Sequence, residues 1–203
     1  TGFSAGFADG GAVVIKTTNS GLNWITMTQE TYPPAYSQFF LNENTGFVVC
    51  EHETILKTTN GGFNWSAQSF SSNLLYSIYF VDQSTGFYTG WDAILGKTTD
   101  CGNSWSRINT GYNNYFFSVY FINNQTGFIG ADEGKILKTT DSGQNWVIYN
   151  TGNNYSYYSI FFPNVETGFA VSGNGVVMRT TNSGVSWTSQ NSGFTNFLSS
   201  IQF

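Results

Sequence analysis

Five copies of one pattern run through the chain. A Thr-Gly-Phe is followed by a short apolar run, then Lys/Arg-Thr-Thr, then Asn/Asp-x-Gly-x-Asn/Ser-Trp. The Thr-Gly-Phe copies start at Thr1, Thr45, Thr85, Thr126 and Thr167, at spacings of 44, 40, 41 and 41 residues. The closing tryptophans are Trp24, Trp65, Trp105, Trp146 and Trp187. A period of this length confines the chain to architectures in which one supersecondary unit stacks on copies of itself, because a single unit cannot bury both its faces. The repeat also sorts the residues. One that recurs in every copy serves the unit, and only one that differs between copies can mark a unique site.

Each copy reads as four short strands. In the fourth, Gly127-Phe128-Ile129-Gly130 is apolar, Asp132-Glu133-Gly134 is a tight turn, and Lys135-Ile136-Leu137-Lys138-Thr139 is the next strand. Asp141-Ser142-Gly143 turns again, where Gly supplies φ > 0. Trp146-Val147-Ile148-Tyr149 and Tyr157–Phe162 complete the set. The strand that precedes each Thr-Gly-Phe, called a here with b, c and d after it, centres on Ser37, Ser77, Ser118, Ser159 and Ser200 and ends on Phe40, Phe80, Phe121, Phe162 and Phe203. Four strands per ~40-residue repeat, with Gly and Trp at fixed offsets, predict an all-β fold, a five-bladed β-propeller of four-stranded antiparallel blades. One domain over residues 1–203 is expected, with repeats 1–44, 45–84, 85–125, 126–166 and 167–203. The chain starts at a strand b and ends at a strand a. Residues 197–203 are therefore expected to complete the blade begun by residues 1–30, closing the propeller by pairing of its N- and C-terminal strands. The alternative is a slice of a larger propeller.

The c–d turn is the most specific signal. It reads Thr17-x-Asn19-x-Gly21-x-Asn23-Trp24, and then repeats from Thr58, Thr98, Thr139 and Thr180 with Asn60, Asp100, Asp141 and Asn182 at the third position. This resembles the Asp-box (BNR) repeat of sialidase-like propellers. With the Thr-Gly-Phe lead and the Lys-Thr-Thr it looks still more like the repeats of photosystem II assembly factor-like proteins, which occur in secreted bacterial surface proteins. The resemblance covers the whole chain. It implies that Asn19, Asn60, Asp100, Asp141 and Asn182 cap a structural turn, that Trp24, Trp65, Trp105, Trp146 and Trp187 pack between blades, and that ligands use the opposite face. In three copies Asn replaces Asp, which keeps the turn-forming carbonyl and drops the charge.

Several function classes are excluded by what is lacking. Net charge is −5, and of the seven basic residues Lys16, Lys57, Lys97, Lys138 and Arg179 occupy one repeat position, leaving Arg107 and Lys135. No clustered basic face can form, so no nucleic acid is expected. No apolar run reaches the ~20 residues that span a bilayer. A sialidase needs three arginines, and the chain has Arg107 and Arg179. A glycosidase needs paired carboxylates on the innermost strands, and all five a strands lack Asp and Glu, so glycoside hydrolase stays only as a remote alternative. The single histidine, His52, sits in Cys50-Glu51-His52-Glu53, which reads as a polar turn rather than a general base or a metal site. No metal and no cofactor are expected. Cys50 ends a strand b and Cys101 lies in the next c–d turn, ~15 Å away at ~3.3 Å per strand residue. A disulfide needs Cα atoms within about 7 Å, so two free thiols are expected.

The copies differ where the b–c turns and d–a loops meet, at the end opposite the Asp boxes. The turns carry Asp9-Gly10-Gly11, Glu51-His52-Glu53, Trp91-Asp92, Asp132-Glu133-Gly134 and Gly173-Asn174-Gly175. The loops add Tyr112, Tyr115, Tyr155 and Tyr157, while Tyr36, Tyr76, Phe117 and Tyr158 share one repeat position and are read as packing around a channel mouth. Rings beside amides and carboxylates suit glycans and protein partners alike. The expected ligand-binding residues are Trp91, Asp92, Glu51, His52, Tyr112, Tyr115, Tyr155 and Tyr157. The expected function is that of a non-enzymatic binding or scaffold domain whose partner is a glycan or a protein, with a self-assembling surface or filament component and homo-oligomer as the alternative. The Asn, Thr, Tyr and Gly bias points to an extracellular or cell-surface location, and a start on Thr in mid-pattern reads as a mature or excised piece.

Overall fold

The fold was obtained as a computed structural model, which describes residues 1–9, 11–27 and 32–203. The Asp9-Gly10-Gly11 turn lies partly outside the described residues. Among the described residues all regular structure is β, in five antiparallel sheets. The chain divides into two compact units, Thr1–Gly90 with Gly96–Ser106, and Trp91–Leu95 with Arg107–Phe203.

In the first unit, β1 (Gly2–Ala8), β2 (Gly11–Thr17) and β3 (Ile25–Thr26) form a three-stranded sheet. β4 (Ala35–Phe40), β5 (Gly46–Cys50), β6 (Thr54–Thr58) and β7 (Ser66–Ser69) form a four-stranded one in chain order. The next sheet follows the same order with β8 (Leu75–Phe80), β9 (Gly86–Gly90), β10 (Leu95–Thr98) and β11 (Ser106–Arg107). Its hairpin tip, Trp91–Leu95, clusters with the second unit. There β12 (Phe116–Phe121), β13 (Gly127–Ala131), β14 (Lys135–Thr139) and β15 (Val147–Asn150) make one blade, and β16 (Tyr157–Phe161), β17 (Gly168–Ser172), β18 (Val177–Thr180) and β19 (Thr188–Gln190) another. Strand order a-b-c-d in successive antiparallel sheets is the blade of a five-bladed propeller, as the repeat predicts.

The recurring residues have physical reasons. The glycine of Thr-Gly-Phe lies under the ring that ends strand a. A Cβ on Gly46, Gly86, Gly127 or Gly168 would sit under 3.0 Å from Phe40, Phe80, Phe121 or Phe162 respectively. The same rings meet the Asp-box tryptophan of their own blade edge-on, at 6.2 Å for Phe40–Trp65, 6.0 Å for Phe80–Trp105 and Phe121–Trp146, and 5.9 Å for Phe162–Trp187. They also stack on the Thr-Gly-Phe ring of the preceding blade, with Phe47–Phe80 at 4.4 Å and Phe128–Phe162 at 4.3 Å. Each strand a carries a bulge before its serine, between Ala35 and Ser37, Leu75 and Ser77, Phe116 and Ser118, and Tyr157 and Ser159. The bulge turns consecutive aromatic residues out of simple alternation.

The Lys of Lys-Thr-Thr ties blades together. Lys16 Nζ donates to the Gly61 carbonyl at 3.1 Å, Lys57 to Cys101 at 2.6 Å and Lys138 to Ser183 at 2.6 Å. Each ammonium reaches the next Asp box while lying 5.1–5.8 Å from the Thr-Gly-Phe ring of its own blade.

The expected closing strand is not among the described pairings. Residues 197–203 form no strand, and the first sheet shows three. The segment nevertheless keeps the course of a strand a beside β16 and β17. Leu198 N–H donates to the Ser172 carbonyl at 3.1 Å, and Ile201 N–H to Ser159 Oγ at 3.3 Å. Phe203 lies 4.8 Å from Phe169, the ring position that Phe162 takes over Phe128. Both cysteines are free thiols, as the spacing predicts.

Candidate functional site

The Asp boxes are structural in every copy. The Thr17 hydroxyl donates to Asn19 Oδ1 at 3.0 Å and accepts the Gly21 N–H at 3.0 Å, and Asn19 Oδ1 also takes the Asn23 N–H at 3.0 Å. The same bonds recur at Asn60, Asp100, Asp141 and Asn182. This network holds two successive residues in the left-handed region, with φ of 57–90° over the five boxes. In the two acidic boxes the carboxylate is pulled to a pKa of about 2. Asp100 is held first by the Ser104 hydroxyl and N–H, and Asp141 by the Asn145 N–H and side chain. In both, each carboxylate oxygen accepts at least one hydrogen bond from within the turn.

At the other end of the blades, the first unit presents Glu51, His52 and Glu53. His52 and Glu53 both adopt positive φ, 54° and 44°, a hairpin conformation that normally selects Asn or Gly. Glu51 is half-buried and accepts the Tyr36 hydroxyl at 2.8 Å. Burial, then Glu51, pushes the Tyr36 hydroxyl up to about 12. His52 is exposed. Tyr36 meets Tyr76 edge-on at 5.7 Å and Phe7 at 6.3 Å, so the repeat-position rings do pack in a chain, with Phe7 64% and Tyr36 40% exposed.

The second unit holds the densest group. Trp91 and Tyr115 lie 5.5 Å apart with their planes at 46°, and they are 41% and 38% exposed. The row continues through Tyr115–Phe117 at 6.3 Å, Phe117–Tyr158 at 4.7 Å and Tyr158–Phe197 at 4.5 Å. Beneath it the backbone is tied down. Ala93 N–H bonds the Asn114 carbonyl, Asn114 Nδ2 donates to Glu133 Oε1 at 3.0 Å, and Tyr115 N–H donates to Asp132 Oδ1 at 3.2 Å. Asp92 is exposed beside Trp91, at φ 59°. Tyr155 lines a hollow of about 150 Å³ with Asn154, Ser156, Tyr158, Gly173 and Asn174.

Two expected ligand residues are placed differently. Tyr157 is fully buried, in a core cluster with Phe128, Ile160 and Trp187, and its hydroxyl bonds Thr151 at 2.7 Å and Asn153 at 3.0 Å. It is a packing residue, a correction to the sequence reading, because the strand-a bulge turns it inward while Tyr158 stays on the rim. Tyr112 is half-buried and gives its hydroxyl to Asp132 Oδ1 at 2.6 Å. Burial, reinforced by Asp132, pushes that hydroxyl far above the usual range. Tyr112 therefore braces Asp132 and stacks on Phe116 at 5.6 Å. Trp91, Asp92, Tyr115 and Tyr155 lie in one unit, where Trp91 meets Tyr115, while Glu51 and His52 belong to the other.

The sequence reading missed Glu53. Its side chain is completely buried, accepting the Ser71 hydroxyl on one oxygen and the Tyr88 hydroxyl at 3.1 Å on the other. Glu53 stands where other copies have Ala93, Gly134 and Gly175. A second signal lies in Tyr88 and Gly96, a large–small exchange for the Val48/Leu56 and Ile129/Leu137 pairs. A Cβ on Gly96 would collide with the Tyr88 ring, so the glycine makes the room that lets the phenol reach Glu53. Among the described residues no group of three or more His, Cys, Asp or Glu is placed to hold a metal.

Residues 15–113 match the family described as photosynthesis system II assembly factor YCF48. The chain thus has a BNR, propeller-type repeat fold resembling that assembly factor. Among solved structures, one titled "YCF48 bound to D1 peptide" is 22% identical, with a TM-score of 0.64, covering 77% of this chain and 53% of its own. YCF48 from Cyanidioschyzon merolae is 14% identical, with a TM-score of 0.71, covering 92% of this chain and 66% of its own. A structure titled "Crystal structure of RRP9 WD40 repeats" is 10% identical, with a TM-score of 0.76, covering 99% of this chain and 66% of its own. The chain therefore spans between about half and two thirds of these structures. No curated relative matches it by sequence. The YCF48 match runs from strand c of the first copy to the loop that carries Tyr112, so it includes Glu51, His52, Trp91 and Asp92 and ends just before Tyr115. No helix of the described residues is long and apolar enough to cross a membrane.

Proposed function

We propose that the protein is a non-enzymatic scaffold that binds a protein partner through the rim formed by its b–c turns and d–a loops. The observation that carries this reading is the exposed Trp91–Tyr115 pair, seated on a hydrogen-bonded turn and loop and flanked by Asp92 and Glu133. Aromatic anchors on a rigid support lose little entropy on binding and are enriched at the centres of protein interfaces. The likeness to the YCF48 assembly factor and to WD40 propellers supports a protein as the partner, and one of those YCF48 structures is titled as bound to a peptide. A glycan is the second reading, favoured by the Asn- and Tyr-lined hollow beside Tyr158. An extracellular or cell-surface location belongs to the same proposal and rests on composition.

The test is a photo-crosslinking residue in place of Tyr115 in whole-cell extract of the source, together with a glycan array. A specific protein adduct that Trp91→Ala removes supports the reading. Glycan affinity lost in Trp91→Ala, with no protein adduct, refutes it in favour of a lectin.

A further inference from the structure

We infer that Asn174 is a site of spontaneous covalent modification, at which the Gly175 backbone nitrogen converts the side-chain amide into a carboxylate with water as the only co-reactant. Its place is the b–c turn of the fifth repeat, Gly173-Asn174-Gly175. An asparagine before a glycine is open to this chemistry because no Cβ shields the glycine nitrogen. The pair occurs twice in the chain, as Asn60-Gly61 and Asn174-Gly175. The structure treats the two in opposite ways.

At Asn60 the reacting groups are engaged. Asn60 Oδ1 accepts the Thr58 hydroxyl at 3.0 Å and the Asn64 N–H at 2.9 Å, and the Gly61 N–H donates to the Asn44 carbonyl at 2.8 Å. Asn174 is exposed, and among the described residues neither its side chain nor the Gly175 N–H makes a hydrogen bond. The other repeats show what this turn lacks. Glu53, Ala93 and Gly134 stand where Gly175 stands, and each gives its N–H to a d–a loop carbonyl, that of Asn73, Asn114 or Tyr155. Those turns are closed a second time, by Thr54 N–H to Glu51 at 3.2 Å, Ile94 to Trp91 at 3.1 Å and Lys135 to Asp132 at 3.0 Å. Neither bond has a counterpart in the fifth repeat, whose hairpin is held outside the turn by Ser172 N–H to the Val176 carbonyl at 3.0 Å. His52, Asp92 and Glu133 adopt positive φ, and Asn174 does not. The peptide groups of buried residues are almost always paired. Gly175 is buried, and its N–H is left beside an unbonded amide.

The chemistry balances without any change of oxidation state. The Gly175 nitrogen attacks Asn174 Cγ and loses its proton, the bond from Cγ to the side-chain nitrogen breaks, and ammonia leaves. Water opens the cyclic imide that remains. Cleavage between the nitrogen and Cγ gives aspartate, and cleavage between the nitrogen and the Asn174 backbone carbonyl carbon gives isoaspartate. Asn174 stands where the third and fourth repeats have Asp92 and Glu133, so either product gives the fifth turn the acid that the other repeats already carry. That carboxylate borders the hollow lined by Tyr155, Ser156 and Tyr158.

The test follows the peptides that contain Asn60 and Asn174 by mass spectrometry, in native protein and in protein unfolded with guanidinium, held at the same mildly alkaline pH. The unfolded chain sets the rate of each pair without structure. In the native protein Asn174 is expected to keep its unfolded rate to within about tenfold, while Asn60 falls at least about tenfold below its own, since each of the three bonds that hold it is worth about two- to tenfold. Isoaspartate, counted by enzymatic methyl transfer, should disappear from native Asn174→Gln. Equal slowing of Asn60 and Asn174 overturns the proposal, as does isoaspartate formed in Asn174→Gln at the parent rate. No partner takes part in any of these readouts, so this site and the binding rim stand or fall separately.

Discussion

The glycine of Thr-Gly-Phe offers a test in which two effects of known sign oppose each other. At Gly86 φ lies outside the left-handed region, so the backbone there accepts alanine without strain. On entropy alone, Gly86→Ala should stabilise by about 0.4–1 kcal/mol, because the unfolded chain loses freedom. The structure predicts the opposite sign. The new Cβ would stand 2.7 Å from Phe80 Cε1 and 2.8 Å from Cδ1, and Phe80 is 3% exposed, stacked on Phe47 and edge-on to Trp105. The ring has no space to retreat, and overpacking of this kind costs roughly 1–3 kcal/mol. The net expectation for Gly86→Ala is a loss of about 1–2 kcal/mol. Phe80→Ala alone should cost about 3–5 kcal/mol, as a buried ring lost from a packed site. In that background Gly86→Ala has nothing to hit and should regain its favourable sign, giving a coupling of about 2 kcal/mol between the two sites. Guanidinium unfolding followed by near- and far-UV circular dichroism supplies the four free energies, provided the two probes give one transition. If Gly86→Ala costs the same in both backgrounds to within about 0.5 kcal/mol, the ring is not the reason for the glycine. Gly2→Ala, whose Cβ would meet Thr17 Cγ2 at 3.1 Å and Trp24 at 3.8 Å but no phenylalanine, is the internal control and should change stability by less than about 1 kcal/mol.

Three further outcomes follow from the same structure. Asp100 and Asp141 have their pKa lowered from 3.8 to about 2, so their contribution is present above the unfolded value and is lost as pH falls towards 2; the double variant Asp100→Asn, Asp141→Asn should lose less thermal stability between pH 4 and pH 2 than the parent. Glu53→Gln places amide hydrogens against the Ser71 or Tyr88 hydroxyl that now donates to a carboxylate, and should cost about 1–3 kcal/mol by chemical denaturation; an unchanged midpoint would remove the buried network from the stability of the blade. Cys50 is buried, and burial followed by Glu51 pushes its thiol up to about 12, whereas Cys101 is half-exposed; an aromatic disulfide reagent at pH 8 should titrate one thiol in the native protein and both after unfolding.

What the sequence discloses here depends on whether a residue acts through the repeat or against it. Glycines, box threonines, lysines and tryptophans recur at one offset, so their role in the blade is readable before any coordinates exist. The strand-a Phe is readable for the same reason, and its partnership with the Thr-Gly-Phe glycine explains why the two always travel together. The rim resists this reading because its residues are defined by departures. Trp91 and Tyr115 could be named as departures, and they do meet. Tyr157 could not be told from Tyr158 by alternation, because the bulge between Tyr157 and Ser159 breaks the two-residue period just there. Glu53 was hidden for a different reason. A carboxylate in a turn is solvated unless a distant side chain is long enough to follow it inside, and Tyr88 reaches it only because Gly96, on another strand, leaves the space. Three exceptions to the repeat, each unremarkable alone, make one buried acid together. Compensating departures in neighbouring copies are therefore the signal that locates buried polar groups in a chain of this kind, and a single anomalous residue is not.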